Sequence, residues 1–185
     1  DGGFVFGAAG TACFPLVEDS VEGVLSFLNS FVAKHVLGIL NPTLNYLVAD
    51  ISALPLDTDL VFSDQVKAAS RTNVCLARED WDTYETSWDF TSLLLLHPGH
   101  HQPTLKASYQ KLRTHWREMT QELQRLEEEN NRIFIDAYGL QGELTPDVPL
   151  NDITLTCNPR YRYGGDKSED ELEAMLLADT MRELV

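Results

Sequence analysis

The stretch LKASYQKLRTHWREMTQELQRLEEENNRIFIDAYG, from Leu105 to Gly139, decides the fold. Its larger side chains recur at alternating intervals of four and three residues without a slip, which is the spacing of a heptad seam. The seam comprises Leu105, Tyr109, Leu112, Trp116, Met119, Leu123, Leu126, Asn130, Ile133 and Ala137. This pattern predicts one helix that begins at Pro103 or Thr104, ends at Gly139 and spans roughly 50 Å.

The seam of this long helix needs a partner, and two kinds of partner fit the sequence. Asn130 lies on the seam, where a buried amide commonly fixes register and partner number in a zipper. The bulky Tyr109 and Trp116 favour an intramolecular partner over a two-stranded coiled coil. Other predicted helices of the same chain supply such a partner.

Shorter elements are expected on both sides of this helix. A helix begins near Asp19 with a capping-box spacing to Glu22 and stops at Asn41-Pro42. A second helix covers residues 63–80, with one face formed by Val66, Ala69, Asn73 and Ala77. Residues 81–103 are irregular, and the capping box Ser168–Glu171 opens a last helix. Strands are predicted at 4–6, 12–16, 44–51 and 153–159, so the expected fold class is α+β and predominantly helical.

Composition narrows the function classes. The 185 residues carry a net charge of −15, which opposes unaided binding to nucleic acid. No apolar run reaches the 18 or so residues that cross a bilayer. Three widely spaced cysteines, Cys13, Cys75 and Cys157, favour a reducing cytoplasm over a disulfide framework. The chain begins at Asp1 without Met and its last helix lacks a stop signal, so we expect a piece of a longer protein.

One tetrad resembles a catalytic motif. Asn158-Pro159-Arg160-Tyr161 differs by one residue from Asn-Pro-Pro-Tyr, with which amino-group DNA methyltransferases hold a flipped base. Arg160 replaces the Pro that makes the turn rigid. FVFGAAG (residues 4–10) is the only candidate for a methyl-donor loop, and its glycines are misplaced. We therefore predict no catalytic residue and interpret the tetrad as a polar turn after a strand.

Other candidate groups give weaker signals. His97, His100 and His101 lie in a Gly/Pro loop with no carboxylate at useful spacing, so we predict a solvated loop and no metal site. His35 falls on the apolar face of its helix and is interpreted as a core histidine. The basic, aromatic tail Arg160, Tyr161 and Arg162 has the composition that contacts nucleic acid. We predict contact there with DNA or with a neighbouring domain.

Four stretches together resemble one family. LSFLNSFVAKHVLGILNPTLNYLVADISALPL (residues 25–56) is similar to the closing part of a target-recognition domain in restriction–modification proteins. DWDTYETSWDF (80–90), NRIFIDAYGLQGELTPDVPL (131–150) and LTCNPRYRYG (155–164) resemble the region that follows it in the PglX family. These are the adenine-specific DNA methyltransferases of BREX phage-defence systems, related to type IIG enzymes.

The resemblance implies a C-terminal fragment of a much larger cytoplasmic enzyme. The parent would methylate adenine at N6 with S-adenosylmethionine, whereas this fragment would bind no cofactor. Residues 1–60 would be the end of a target-recognition domain, and residues 61–185 a helical spacer. The fragment would contact DNA as part of the parent enzyme. Its further partners would be the upstream methyltransferase domain and other defence proteins, and it would contact no membrane. The alternative is a helical protein–protein interaction module that assembles the defence complex without binding DNA.

Overall fold

The computed structural model describes residues 11–43 and 45–184. These residues form eight α-helices and three short 3-10 helices, at Glu18–Ser20, Leu94–Leu96 and Leu150–Asp152. The α-helices are α1 Val21–Leu28, α2 Phe31–Leu40, α3 Val48–Ser52, α4 Thr58–Val61, α5 Asp64–Trp81, α6 Leu105–Tyr138, α7 Pro159–Tyr163 and α8 Glu169–Arg182. The described residues contain no strand, so the expected α+β class is wrong, whereas the predominance of helix is confirmed.

The described chain divides into two compact units, each built from two separate segments. Unit 1 contains the described residues up to Arg71 together with Glu128–Asp147. Unit 2 contains Thr72–Glu127 and Val148 to the end of the described chain. Helices α5 and α6 each supply residues to both units. The division into a recognition part (1–60) and a spacer (61–185) concerns function and stays a prediction.

The core of unit 1 is aromatic and aliphatic. Phe27 of α1 packs against Phe134 and Tyr138 of α6, with ring centroids 5.6 and 6.1 Å apart. Fully burying side chains of this size stabilises a fold by about 1.5–3 kcal/mol each. The buried cluster consists of Phe27, Val32, Ala33, Val66, Phe134 and Ile135. The C-terminal third of the long helix is therefore part of this core.

The expected single helix from Asp19 to Asn41 is two helices. The chain breaks at Asn29 and Ser30, where the Ser30 hydroxyl accepts a hydrogen bond from the backbone N–H of Ala33 and caps α2. The freed N–H of Phe31 donates to the side chain of Asn131 at 2.9 Å. These side-chain acceptors replace the helical carbonyls that a continuous helix would need.

Hydropathy gives one weak membrane signal. Within the described ranges, no single helix has both the length and the apolar character to span a bilayer. The pair Glu18–Leu28 and Phe31–Leu40 passes that test when taken together, although the two parts meet at a bend of 71°. Phe27, Val32, Ala33 and Leu37 of this pair are buried within the protein.

The long helix is confirmed with the predicted bounds. α6 runs from Leu105 to Tyr138, and Gly139 follows with a φ of +68°, the left-handed geometry that favours glycine at this position. The middle of the seam, from Leu112 to Asn130, is buried, whereas Leu105 and Ala137 at its ends are exposed. The buried seam residues are covered by their own chain, and the structure does not confirm a coiled coil.

Within the described residues, the predicted strands are replaced by irregular chain, turns and short helices. Residues 12–16 form no regular element, and residues 4–6 lie outside the described residues. In the predicted strand 44–51 the carboxylate of Asp50 accepts the N–H of Leu47 at 2.8 Å and starts helix α3. Where side chains satisfy the backbone locally, the backbone needs no neighbouring strand.

The core of unit 2 gathers α6, α8 and the segment after residue 148. Leu112, Leu155, Cys157, Leu172 and Leu176 are almost completely buried there. The capping box that opens α8 is confirmed: the Ser168 hydroxyl accepts the N–H of Glu171, and the Glu171 carboxylate accepts the N–H of Ser168.

Helix α5 is confirmed close to its predicted bounds, but its predicted face holds only at its N-terminal end. Val66 and Ala69 are buried, Asn73 is half-buried and Ala77 is exposed.

Candidate functional site

The stretch that contains the tetrad is anchored by a buried carboxylate in unit 2. Asp80, near the end of α5, is 4% exposed and accepts the backbone N–H groups of Thr156 at 2.6 Å and Cys157 at 2.9 Å. Two charge-assisted hydrogen bonds fix this turn firmly. The predicted strand 153–159 is therefore wrong, because a side chain 76 residues away takes the place of a neighbouring strand.

Asn158, the first residue of the tetrad, is a helix cap. Its amide oxygen accepts the N–H of Arg160 at 3.2 Å, and its amide nitrogen donates to the carbonyls of Leu150 and Ile153 at 2.7 and 2.9 Å. Pro159 then occupies the first turn of α7, where a missing N–H costs nothing. The tetrad was interpreted as a polar turn after a strand, but it forms the start of a short helix that Asn158 caps. The side chain is 3% exposed and fully hydrogen-bonded, so it offers nothing to a flipped base.

The three residues predicted to contact DNA or a neighbouring domain lie on α7. Arg160 forms an ion pair with Glu169, and 40% of its side chain is exposed. Tyr161 is 47% exposed. Arg162 lies 3.4 Å from Asp179 and 3.8 Å from Glu183, and its guanidinium stacks over the rings of Tyr84 and Tyr163. Their contact with DNA or with another domain stays a prediction.

Sequence reasoning missed two arginines that the fold of unit 2 brings beside Arg160. Arg113 and Arg117 lie one turn apart on α6, and both donate to Glu173 of α8. Arg113 makes three short contacts with this carboxylate, between 2.7 and 3.0 Å, and only 8% of its side chain is exposed. Arg117 reaches the same oxygen, Oε1, at 2.7 Å. The i, i+4 spacing of the two arginines was the only signal in the sequence.

Arg113, Arg117 and Arg160 line one open depression of about 210 Å³, which we call the arginine depression. Thr120, Gln121 and Asn158 are among its polar walls, and Glu169 contributes one carboxylate. Burial acts to raise the pKa of Glu173, but the hydrogen bonds from Arg113 and Arg117 outweigh it and hold that pKa below its ordinary value. Glu173 is therefore ionised at neutral pH and keeps both guanidiniums in place.

The histidines form a loose cluster in unit 2. His97 and His101 are exposed as predicted, whereas His100 is half-buried with its ring 5.2 Å from that of His115. Burial and the neighbouring His115 lower the pKa of His100. His115 lies 3.1 Å from Glu79, a pairing that the sequence did not predict. Within the described residues, no three His, Cys, Asp or Glu side chains are arranged to hold a metal ion.

His35 and Cys157 are two further side chains of reactive types. His35 is not a core histidine, because 36% of its side chain is exposed and it lies 3.9 Å from Glu143. Cys157 is buried, and burial together with the nearby Asp80 raises the pKa of its thiol. A thiol in that state is a poor nucleophile.

Comparison with known proteins decides the relationship. No family model matches the chain. The adenine-specific methyltransferase PglX of Lacticaseibacillus casei (strain Zhang) is 35% identical over 156 residues, which cover 83% of this chain. The chain is a PglX-like segment. The expected resemblance to this family is thereby confirmed.

The PglX-like segment also matches the adenine-specific methyltransferase BrxX of Escherichia coli O9:H4 (strain HS). The two are 28% identical over 185 residues, which cover 99% of this chain. The matched region amounts to 13% of the Lacticaseibacillus protein and 15% of the Escherichia protein. The chain thus spans about one seventh of the length of the curated relatives that it matches.

Proposed function

We propose that the chain is a non-catalytic target-recognition and spacer segment of an N6-adenine DNA methyltransferase in a BREX phage-defence system. The observation that carries this proposal is the pair of matches, which run along almost the whole chain yet take up only 13–15% of each methyltransferase. The matched region leaves most of each methyltransferase for its catalytic domain.

The chemistry of the described residues supports a non-catalytic role. The nearest approach to an amine-binding tetrad is Asn158–Tyr161, and the amide of Asn158 is committed to Arg160, Leu150 and Ile153. Arg160 stands where the catalytic motif has its second proline. S-adenosylmethionine would bind the parent enzyme elsewhere, on its catalytic domain.

Helix α6 supports the spacer part of the proposal. It is a single helix of 34 residues, and its buried residues belong to the cores of both units. A helix of this length has a span of roughly 50 Å. A single helix of this length is suited to the role of a spacer in a large enzyme.

A second candidate function is a helical interaction module that joins defence-system proteins and contacts no DNA. In the described part of the chain, at least eight of the 14 Lys and Arg side chains are held in ion pairs with acidic groups of the same chain. Together with the net charge of −15, this leaves little positive surface for phosphate contacts. An acidic surface of this kind suits a basic protein partner.

Binding of labelled duplex DNA to the purified chain separates the two functions. Under the recognition proposal, we expect binding at about 50 mM salt that weakens steeply toward 200 mM, because each phosphate contact releases counterions. Absence of binding at about 50 mM salt would favour the interaction module.

Calorimetry with S-adenosylmethionine tests the non-catalytic part separately. We expect no heat of binding from the chain alone, and a saturable signal would show that a methyl-donor site lies within it.

A further inference from the structure

We propose that the arginine depression of unit 2 binds a single phosphate group. This proposal rests on the proposed function for the source of the phosphate, the DNA backbone, whereas every residue that lines the site belongs to unit 2. The depression is open, has a volume of about 210 Å³ and is lined by three guanidinium groups from α6 and α7.

The balance of charge in the arginine depression is positive, although the chain as a whole is strongly acidic. Arg113 and Arg117 share the one carboxylate of Glu173, which neutralises only one of them. Arg160 is paired with Glu169. One positive charge therefore remains beside the depression, in a chain whose net charge is −15.

The guanidinium groups also keep unused donors. Each carries five N–H groups in a planar fork that matches the oxygens of a phosphate. The bonds to Glu173 use Nε and Nη2 of Arg113 but only Nη2 of Arg117, and the bond from Arg160 to Glu169 uses only Nη2. Among the described residues, these hydrogen bonds use Nε and Nη2 and none uses Nη1 of the three arginines.

The arginine depression is built before any ligand arrives. Arg113 is buried and locked by two bonds from Nε and one from Nη2 to Glu173, so its guanidinium cannot swing away. The exposed Arg117 is held to the same carboxylate. Side chains that are fixed in advance lose little conformational entropy when an anion binds. Gln121 lines the same wall and carries a polar amide, whereas the hydroxyl of Thr120 donates to the backbone carbonyl of Trp116 at 2.7 Å.

The test uses the whole chain and inorganic phosphate, with chloride at equal ionic strength as the reference. We expect the Nε–H resonances of Arg113, Arg117 and Arg160 to shift saturably with phosphate and not with chloride. In the double variant Arg117→Ala/Arg160→Ala, the affinity read from Arg113 should fall at least tenfold. The replaced side chains are 55% and 40% exposed, and circular dichroism verifies that the variant folds.

The matched control is the double variant Arg71→Ala/Arg182→Ala. It removes the same charge and two exposed, ion-paired arginines that lie outside the arginine depression. It should bind phosphate like the unmodified chain. Equal loss in the two double variants, or shifts that chloride reproduces, would overturn the proposal, because general charge would then explain the response.

A second arm with a 20-base-pair duplex identifies the source of the phosphate. A tenfold loss of duplex affinity only in the Arg117→Ala/Arg160→Ala variant supports the site with the DNA backbone as its ligand. Phosphate binding without duplex binding supports the site with free phosphate as its ligand and counts against the DNA part of the proposed function. Duplex binding that is equal in both variants, with no phosphate response, overturns the site and leaves the proposed function standing.

Discussion

The side-chain amide of Asn130 donates a hydrogen bond of 3.0 Å to the backbone carbonyl of Ser26, 104 residues earlier in the chain. Asn130 lies on the seam of α6, where the sequence suggested a role in fixing register and partner number. Its partner belongs to the same unit of the same chain, and both residues are buried. The amide therefore fixes how α1 meets α6.

Replacing Asn130 tests this interpretation. We expect Asn130→Ala to lower the free energy of unfolding by about 1–3 kcal/mol, because the carbonyl of Ser26 loses its donor inside the protein. The molar mass in solution should not change. Asn151→Ala, at an exposed position, is the control and should alter stability little. A change of oligomeric state in the Asn130 variant would instead indicate an intermolecular seam.

Two helical glycines of unit 1 should respond oppositely to the same substitution. A Cβ atom on Gly23 of α1 would overlap the backbone carbonyl of Val61, whereas a Cβ on Gly38 of α2 would meet nothing within 4 Å. We expect Gly23→Ala to destabilise unit 1 by about 1–3 kcal/mol through overpacking. Gly38→Ala should stabilise it by about 0.5–1 kcal/mol, since alanine favours helix. Denaturant unfolding measures both, and equal effects would contradict the close approach of α1 and α4.

The buried carboxylate of Asp80 should be sensitive to a minimal change. In Asp80→Asn one acceptor oxygen becomes a donor that faces the N–H of Thr156 or Cys157. We expect the free energy of unfolding of unit 2 to fall by about 2–3 kcal/mol, because a buried N–H is left without an acceptor. The same change at the exposed Asp89 is the matched control. If thermal unfolding showed equal, small effects for both variants, the turn would not depend on Asp80.

Glu127 makes the stability of unit 2 depend on pH. Burial and the nearby Asp152 raise the pKa of Glu127 to about 7 from its ordinary value of 4.5. Because the folded state binds the proton of Glu127 more tightly than the unfolded state does, protonation of Glu127 stabilises the fold. That stabilisation is fully present below pH 4.5 and is lost as the pH rises through about 7. Glu127→Gln should therefore stabilise the chain above pH 7, on the order of 1–2 kcal/mol after allowance for partial exposure.

The matched control for Glu127 is Glu118→Gln, on the exposed surface of the same helix. The free energy of unfolding of the Glu127 variant should exceed that of this control at pH 8, and the difference should shrink as the pH falls to 4.5. If the free energy of unfolding of the two variants depended on pH in the same way, Glu127 would titrate like an exposed glutamate and the prediction would be wrong.

Periodicity and capping predicted the helices well where the signal was local. The bounds of α6, its glycine stop and the capping box of α8 depend on residues within a few positions of each other. The predicted strands at 44–51 and 153–159 were wrong because Asp50 and Asp80 satisfy backbone groups that a strand would pair with another strand. The break at Ser30 was missed because a serine inside an apolar helical pattern does not reveal that its hydroxyl will act as a cap.

The arginine depression could not be predicted from the sequence for a different reason. Arg113 and Arg160 are separated by most of α6 and by the loop that follows it, so nothing in the sequence brings them together. Only Arg160 lies in a motif, whereas Arg113 lies off the heptad seam of α6 and has no motif around it. Glu173, which fixes Arg113 and Arg117, comes from yet another helix.

The bond between Asp80 and the turn at Thr156 has a consequence for biosynthesis. The two residues are 76 positions apart. At a synthesis rate of about 5–20 residues per second, the N–H groups of the turn leave the ribosome roughly 4–15 s after the Asp80 carboxylate that accepts their hydrogen bonds. During that interval α5 and most of α6 already exist, with the apolar face that Leu155 and Cys157 later cover still open to water. Closing so long a loop also has an entropic cost. The nascent chain therefore exposes this apolar face to chaperones and proteases until residues 155–157 have left the ribosome.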